Sequence, residues 1–358
     1  MGARVERVSL VERIPAVALN VLDKAVRGGV ADLRRMPRDA IIGSPAATLY
    51  RYRPLAGVPA LDAAPVLLVP PLGAPDFAYD LRRGCSLVQH LLATGRDVFG
   101  VDYGPIRFAD RARGMEHWVD DVVPRAVRDA CAESGADGVD LVAWSLGGIF
   151  ALLATAADTT LPINTLTVIG SPVDIAAVPL MAPLRPLAAV TGGLGLSAIY
   201  QAIGSFPAPL VSWAFQLTAV DKLVTKPLTI LSRLDDRDCL AQIEAVDYMM
   251  THMHGYPGRV FGQIYHLLLR NNDLAEGTLD LAGRTIALKE IDVPVLIVGG
   301  ENDVIAPLAA VQRVAGLLTG SPEVRFESAP GGHLGVLTGR RARTTTWVYL
   351  DEFLSSHS

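Results

Sequence analysis

The sequence predicts an α/β fold, a doubly wound and mostly parallel sheet interrupted by an inserted helical block. Three observations carry this reading. Near-continuous apolar runs (Val66–Val69, Val98–Val101, Leu141–Ala143, Leu166–Ile169 and Val295–Val298) are separated by helix-length segments. Strands buried on both faces of a parallel sheet require that pattern. One of the runs passes directly into Ala143-Trp144-Ser145-Leu146-Gly147-Gly148, a strand–turn–helix junction. Finally, the alternation stops near Ile175 and resumes near Ile291, so the residues between them form an insertion between two strands.

Taken in order, residues 8–27 read as an amphipathic helix, with Val8, Val11, Val17, Val21, Leu22 and Ala25 near one face. Two readings stand for it: packing against the body, or a partner- or lipid-facing helix. It carries no secretory cleavage pattern, since Asp23 and Lys24 break its apolar stretch. Segment 1–45 is thus set down as an N-terminal helical region, 46–174 and 291–358 as the core, and 175–290 as the insertion. Helical patterns cover Ser86–Thr94, His117–Ser134, Gly147–Ala157 and Leu308–Leu318 between the strands. An insertion at the carboxyl edge of such a sheet lies over the place where ligands bind, which makes it a lid.

Composition excludes several classes. The 358 residues are 50% apolar and carry net charge −5, which excludes a disordered chain and gives no footprint for nucleic acid. Cys85, Cys131 and Cys239 are odd in number and widely spaced, which argues against a disulfide framework or zinc site and fits a reducing cytosol. Charged residues make up 19% of the chain, against about 25% in ordinary domains. Much of that deficit lies in residues 176–220, where Arg185 is the one charged residue. The stretch is too broken by Pro and Gly for a simple membrane span. It reads either as an acyl tunnel or lipid-docking face, or as a buried interface between lid and core.

The chemistry centres on the junction at Ser145. It is a G-x-S-x-G nucleophile elbow with Ala143 in place of the first glycine, as in the α/β-hydrolase fold. The sharp turn needs small residues two before and two after the serine, and Ala143 and Gly147 meet that need. Serine alone is a weak nucleophile and needs a histidine base, which in turn needs a carboxylate to fix its tautomer. The order Ser…Asp…His is met by Asp303, in the loop after Val295–Val298, and by His333, in the loop after Val324–Ser328. Glu301 and Asp174 are the rival acids, Asp174 reading better as a helix start. The oxyanion hole needs two backbone donors. Leu146 N–H supplies one; in the loop after Val69, Pro70 and Pro71 cannot donate, so Leu72 N–H comes first and Gly73 next.

These residues and their surroundings resemble the poly(3-hydroxyalkanoate) synthase family of α/β-hydrolases. The matching stretches are LYRYRP at 49–54, VLLVPPL at 66–72, YDLR at 79–82, SLV at 86–88 and HWVDD at 117–121, then the elbow, SPVD at 171–174, LKEIDVPVLIVGGENDVIAP at 288–307 and PGGHLGVLTG at 330–339. The resemblance implies acyl transfer from a thioester such as acyl-CoA, through an acyl-enzyme, to a hydroxyl acceptor, with Ser145, Asp303 and His333 as nucleophile, acid and base. It also hints at a homodimer, and at association with lipid inclusions or a membrane surface. Polymer-forming members carry cysteine in the elbow and histidine after the acid, where this chain has Ser145 and Val304. A Ser–His pair suits oxyester chemistry. Hydrolysis of apolar acyl esters through acyl-Ser145 therefore stands first, transfer to a hydroxyl second, and an inactive scaffold last.

Elsewhere no cofactor or metal is expected. His252 and His254 have a spacing that could touch a metal, but no further ligand lies nearby in sequence, and Met249, Met250 and Met253 read as core filling. Arg233–Asp238 reads as a solvated helix start, Trp118 as packing. Gly-rich Thr191–Leu196 lacks the preceding strand that a phosphate loop needs.

Overall fold

The computed structural model describes residues 10–43, 47–179, 205–206 and 220–358. Its centre is an eight-stranded sheet: β1 (Arg38–Gly43), β2 (Thr48–Tyr52), β3 (Val66–Val69), β4 (Val98–Asp102), β5 (Val139–Trp144), β6 (Ile163–Ile169), β7 (Val295–Gly300) and β8 (Val324–Ala329). The spatial order is β1-β2-β4-β3-β5-β6-β7-β8. β1 and β2 are antiparallel to their neighbours, and all later pairings are parallel. This is the α/β-hydrolase arrangement.

Strand residues alternate between two cores. Leu67, Val69, Leu141, Ala143 and Ile297 point into one cluster, while Val66, Leu68, Val142, Trp144 and Val298 point into the other. Both faces of the central strands are therefore buried, which is why they read as continuous apolar runs rather than alternating ones. Helices cover the two faces: α2 (Leu87–Ala93), α3 (Val123–Ser134), α4 (Leu146–Ala157) and, at the C-terminal end, α7 (Thr346–Ser356). Ser86 caps α2 by accepting the Gln89 N–H. Trp118 is 1% exposed and stacks on Phe150 of α4, so it packs, as its helix pattern suggests.

Three features differ from the sequence reading. The N-terminal segment is helical over α1 (Leu10–Arg27), but Arg38–Gly43 form the edge strand β1; Arg38 is drawn into the sheet by ion pairs with Asp76 and Asp102. Next, α1 meets the body through its polar side. Asn20 and Asp23 are buried, bonded to Leu234 O and to Arg237, whereas Ile14, Leu22 and Val26 are exposed. Asp23 is the buried charge of the pair, and without Arg237 its carboxylate would be left uncompensated.

The third difference lies in the insertion, which enters after β6 and returns at β7. Its described part holds the expected helices, including α5 (Val220–Ser232) and α6 (Arg237–Thr251), but ends in a β-hairpin, Thr278–Leu281 with Arg284–Ala287. Ala282 and Gly283 turn it with φ of 52° and 80°, the left-handed pair that a tight hairpin needs. The signal was the alternation of Leu279 and Leu281 with polar neighbours. Both leucines, with Ile286 and Leu288, join the core cluster that holds α4, so this end of the insertion is core rather than lid.

The charge-poor stretch 176–220 and Thr191–Leu196 lie largely or wholly outside the described residues, as do residues 1–9. No described helix is long and apolar enough to cross a membrane.

Candidate active site

Ser145 stands between β5 and α4 with φ 56° and ψ −125°. A non-glycine residue in that region costs about 1–3 kcal/mol and persists where its surroundings over-determine it. Here they do. Ser145 N–H donates to Ile169 O at 2.9 Å, and Ser145 O accepts from Gly148 N–H at 3.0 Å. The elbow is also pressed against the loop after β3. A Cβ added to Gly147 would lie 2.5 Å from Val69 O and 2.6 Å from Pro70 O. Ala143 is fully buried opposite Val69, where a methyl group fits.

The structure brings Ser145, Asp303 and His333 together from three separate strand ends. His333 Nε2 is 2.8 Å from Ser145 Oγ, and His333 Nδ1 is 2.7 Å from Asp303 Oδ2. Asp303 Oδ1 accepts the Ile305 and Ala306 N–H groups at 2.9 and 2.8 Å. Acceptor-only Asp303 requires a proton on Nδ1, which leaves Nε2 free to accept the seryl proton. Asp303 and His333 are 5% and 8% exposed, so little water competes for the pair, while Ser145 is half-buried and reachable.

Two residues that sequence reasoning passed over adjoin this relay. Trp144 donates its indole N–H to His333 O at 3.1 Å, and the two rings lie 5.2 Å apart. Gly170 has φ 56°, and a Cβ there would stand 3.6 Å from both Asp303 Oδ2 and His333 Nδ1. A glycine just after a strand that neighbours the elbow was the available signal.

The rival acids sit elsewhere. Glu301 is exposed. Asp174 caps a short turn, accepting the Ala176 and Ala177 N–H groups, and is held by Asn272. Of the oxyanion candidates, Leu146 N–H opens α4 beside the serine, and Leu72 lies fully buried in the loop after β3. Gly73 is committed differently. Its carbonyl accepts His254 N–H at 2.9 Å, and the Tyr256 ring lies against it, so that a Cβ on Gly73 would stand 2.6 Å from Tyr256 Oη. Burial pushes that phenol up to about 12, with Gly73 opposing, so it stays protonated in any ordinary assay. His252 hydrogen-bonds Tyr248 O, Met249 and Met253 are buried in the core, and among the described residues no cluster could hold a metal ion.

The segment 233–238 is a helix start with Arg233 and Arg237 exposed, and it is also a junction. Asp236 caps α6, and Asp238 pairs with Arg82, Arg340 and Arg343. These contacts tie the insertion to loops of the core.

No family model matches the chain. It is 28% identical to the poly(3-hydroxyalkanoate) polymerase subunit PhaC of Allochromatium vinosum, covering 89% of this chain and 88% of that protein. Identity with the PhaC subunit of Thiocystis violacea is 24%, over 94% and 93%, and with that of Synechocystis 24%, over 84% and 79%. Among solved structures, a Nitrososphaera carboxylesterase aligns at TM-score 0.51 and 12% identity, over 90% of this chain and all of that one. A hydrolase from Pseudomonas aeruginosa aligns at 0.50 and 15%, over 88% and 98%. The chain is a homologue of the polymerase subunits over most of its length, built on the α/β-hydrolase fold.

Proposed function

We propose that the protein transfers an acyl group from a thioester such as acyl-CoA to a hydroxyl acceptor, through an ester on Ser145. The observation that carries the acyl-serine step is the hydrogen-bonded relay Ser145–His333–Asp303 at a strained elbow. Support for a hydroxyl acceptor comes from kinship with polymerase subunits along nearly the whole chain, insertion included.

In the first half-reaction, His333 Nε2 takes the Ser145 proton as Oγ attacks the thioester carbonyl. The oxyanion is met by the Leu146 and Leu72 N–H groups, and Asp303 stabilises the imidazolium. Collapse expels the thiolate, which takes the proton from His333 and leaves as the thiol. In the second half, His333 removes the acceptor hydroxyl's proton, the alkoxide attacks the acyl-Ser145 carbonyl, and Ser145 leaves with the proton returned. Atoms and charge balance at each stage, and no cofactor is needed.

Hydrolysis is the second reading, and Ser145 itself favours it. A serine ester lacks the matched thioester exchange that a cysteine nucleophile offers, and water in place of the alcohol completes the same cycle.

Acyl-CoA and nitrophenyl esters, each with and without an alcohol acceptor, separate the two. Transfer predicts an acyl adduct on Ser145 in intact-protein mass spectra and thiol release that rises with acceptor. Free acid from oxyesters, with acyl-CoA untouched, would replace transfer by hydrolysis. Full activity of Ser145→Ala would overturn both.

A further inference from the structure

The loop that leaves β4 carries an aromatic and cationic tip. Between Tyr103 and Arg113 stand Arg107, Arg111 and Arg113 against a single carboxylate, Asp110, in a chain whose net charge is −5. Asp110 is taken up inside the loop, accepting Arg107 N–H at 2.8 Å and pairing with Arg113 at 3.0 Å. Arg111 donates to Phe108 O at 3.1 Å and lays its guanidinium over the Phe108 ring, 4.3 Å from the centroid. Phe108 is nonetheless 58% exposed. The exposed Arg107 side chain makes no ion pair among the described residues.

Beside this tip lies a cavity of about 450 Å³, lined by Arg107 and Arg113 together with Asp102 and Gly104. Asp102 accepts the Gly104 N–H at 2.8 Å and faces Arg38 at 4.0 Å, which leaves the Arg107 guanidinium as the charge open to a ligand. The loop stands at the carboxyl edge of the sheet, where such folds bind ligands. β3 alone separates β4 from β5, whose last residue precedes Ser145, so the two strand ends lie roughly 10 Å apart. The tip is thus to one side of the nucleophile, where the far end of an extended thioester donor would lie. An exposed ring beside an unpaired guanidinium suits a nucleoside phosphate, the base stacking and the phosphate pairing with the cation.

We propose that residues 104–113 hold the nucleotide end of a coenzyme A thioester, with adenine on Phe108 and Arg111 and the phosphates on Arg107. The cavity beside them takes the start of the pantetheine arm. This inference rests on the acyl-thioester reading above and names the residues that tell such a donor from a simple ester.

Calorimetric titration with CoA, and with pantetheine, which lacks the nucleotide, reads the site without turnover. CoA should bind wild type at least about tenfold more tightly than pantetheine. Phe108→Ala should weaken CoA about tenfold, the loss of one stacked base. Arg107→Ala should weaken it about threefold in low salt, and less as salt rises. Both side chains are exposed, and a melting curve for each variant checks the fold. In turnover, the kcat/KM ratio of acyl-CoA to the matching N-acetylcysteamine thioester should fall by the same factors. Equal binding of CoA and pantetheine to wild type overturns the inference, as does CoA affinity within twofold of wild type in both variants. Phosphatidylglycerol vesicles test the other anionic occupant: vesicle binding lost in the variants, with CoA affinity intact, also overturns it. The levels stay distinct. Failure of a fluorophosphonate to label Ser145 sinks the acyl-serine reading, and acyl-CoA that binds without being consumed sinks transfer. A labelled Ser145 with no preference for CoA over pantetheine sinks this inference alone.

Discussion

Adding one methyl group at Gly147 should damage stability and chemistry together. The Cβ of Gly147→Ala would meet Val69 O at 2.5 Å, Pro70 O at 2.6 Å and Pro70 C at 2.7 Å. All three are backbone atoms, so no side chain can rotate away. Restoring ordinary contact at 3.4 Å requires the loop and the elbow to separate by about 0.9 Å. Overpacking of this kind costs about 1–3 kcal/mol, and a rigid backbone on both sides argues for about 3. For a domain of this size that is a Tm drop of about 3–6 °C. The same movement carries Leu72 N–H away from the oxyanion position, where loss of one donor costs about 10²–10³ in kcat. The assay is differential scanning fluorimetry alongside the nitrophenyl-ester acylation burst. Gly148→Ala is the contrast, since its Cβ meets the Ser171 side chain, Oγ at 2.0 Å and Cβ at 2.9 Å. It should lose stability with a smaller loss of acylation rate. If Gly147→Ala acylates at the wild-type rate with an unchanged Tm, the claim that the elbow positions the oxyanion loop is wrong.

Two further outcomes follow from the site and its supports. Asp303→Asn should lower kcat about 10³–10⁴-fold at near-native Tm, because an amide NH₂ facing His333 Nδ1 enforces the wrong tautomer while one oxygen can still accept from Ile305 or Ala306; a loss below tenfold in steady-state rate would remove Asp303 from the mechanism. Asp238 ties α6 to the core: burial alone would raise its carboxyl, but Arg82, Arg343 and Arg340 outweigh that and hold it below the ordinary 3.8. A depressed carboxyl stabilises the fold above its unfolded value and loses that contribution as pH falls through the folded one. Asp238→Asn should therefore melt below wild type at pH 7, with the gap closing below about pH 3.8 in melts across pH; a gap that persists unchanged would show that the charge is not what matters.

Much of this protein is legible in the order of its residues. The parallel strands are written as apolar runs because both their faces are buried, and Ser145 is marked by the small residues its turn demands. Asp303 and His333 follow strands in the loops where such a fold collects its ligands. These are local signals, each readable within a few residues. The hairpin at 278–287 was equally local, in its period-two alternation, but is easily lost inside a helical block.

Tertiary structure decided the rest. The outward apolar face of α1 depends on Asp23 meeting Arg237, more than two hundred residues away. Trp144 supports His333, Gly170 turns beside the relay with φ 56°, and His254 binds Gly73, and none of these pairings has a periodicity to betray it. A sequence states which backbone groups a loop can offer. Which of them stays available for chemistry depends on what other segments bind first, and at Gly73 the carbonyl is taken by the His254 N–H, which the chain supplies far downstream.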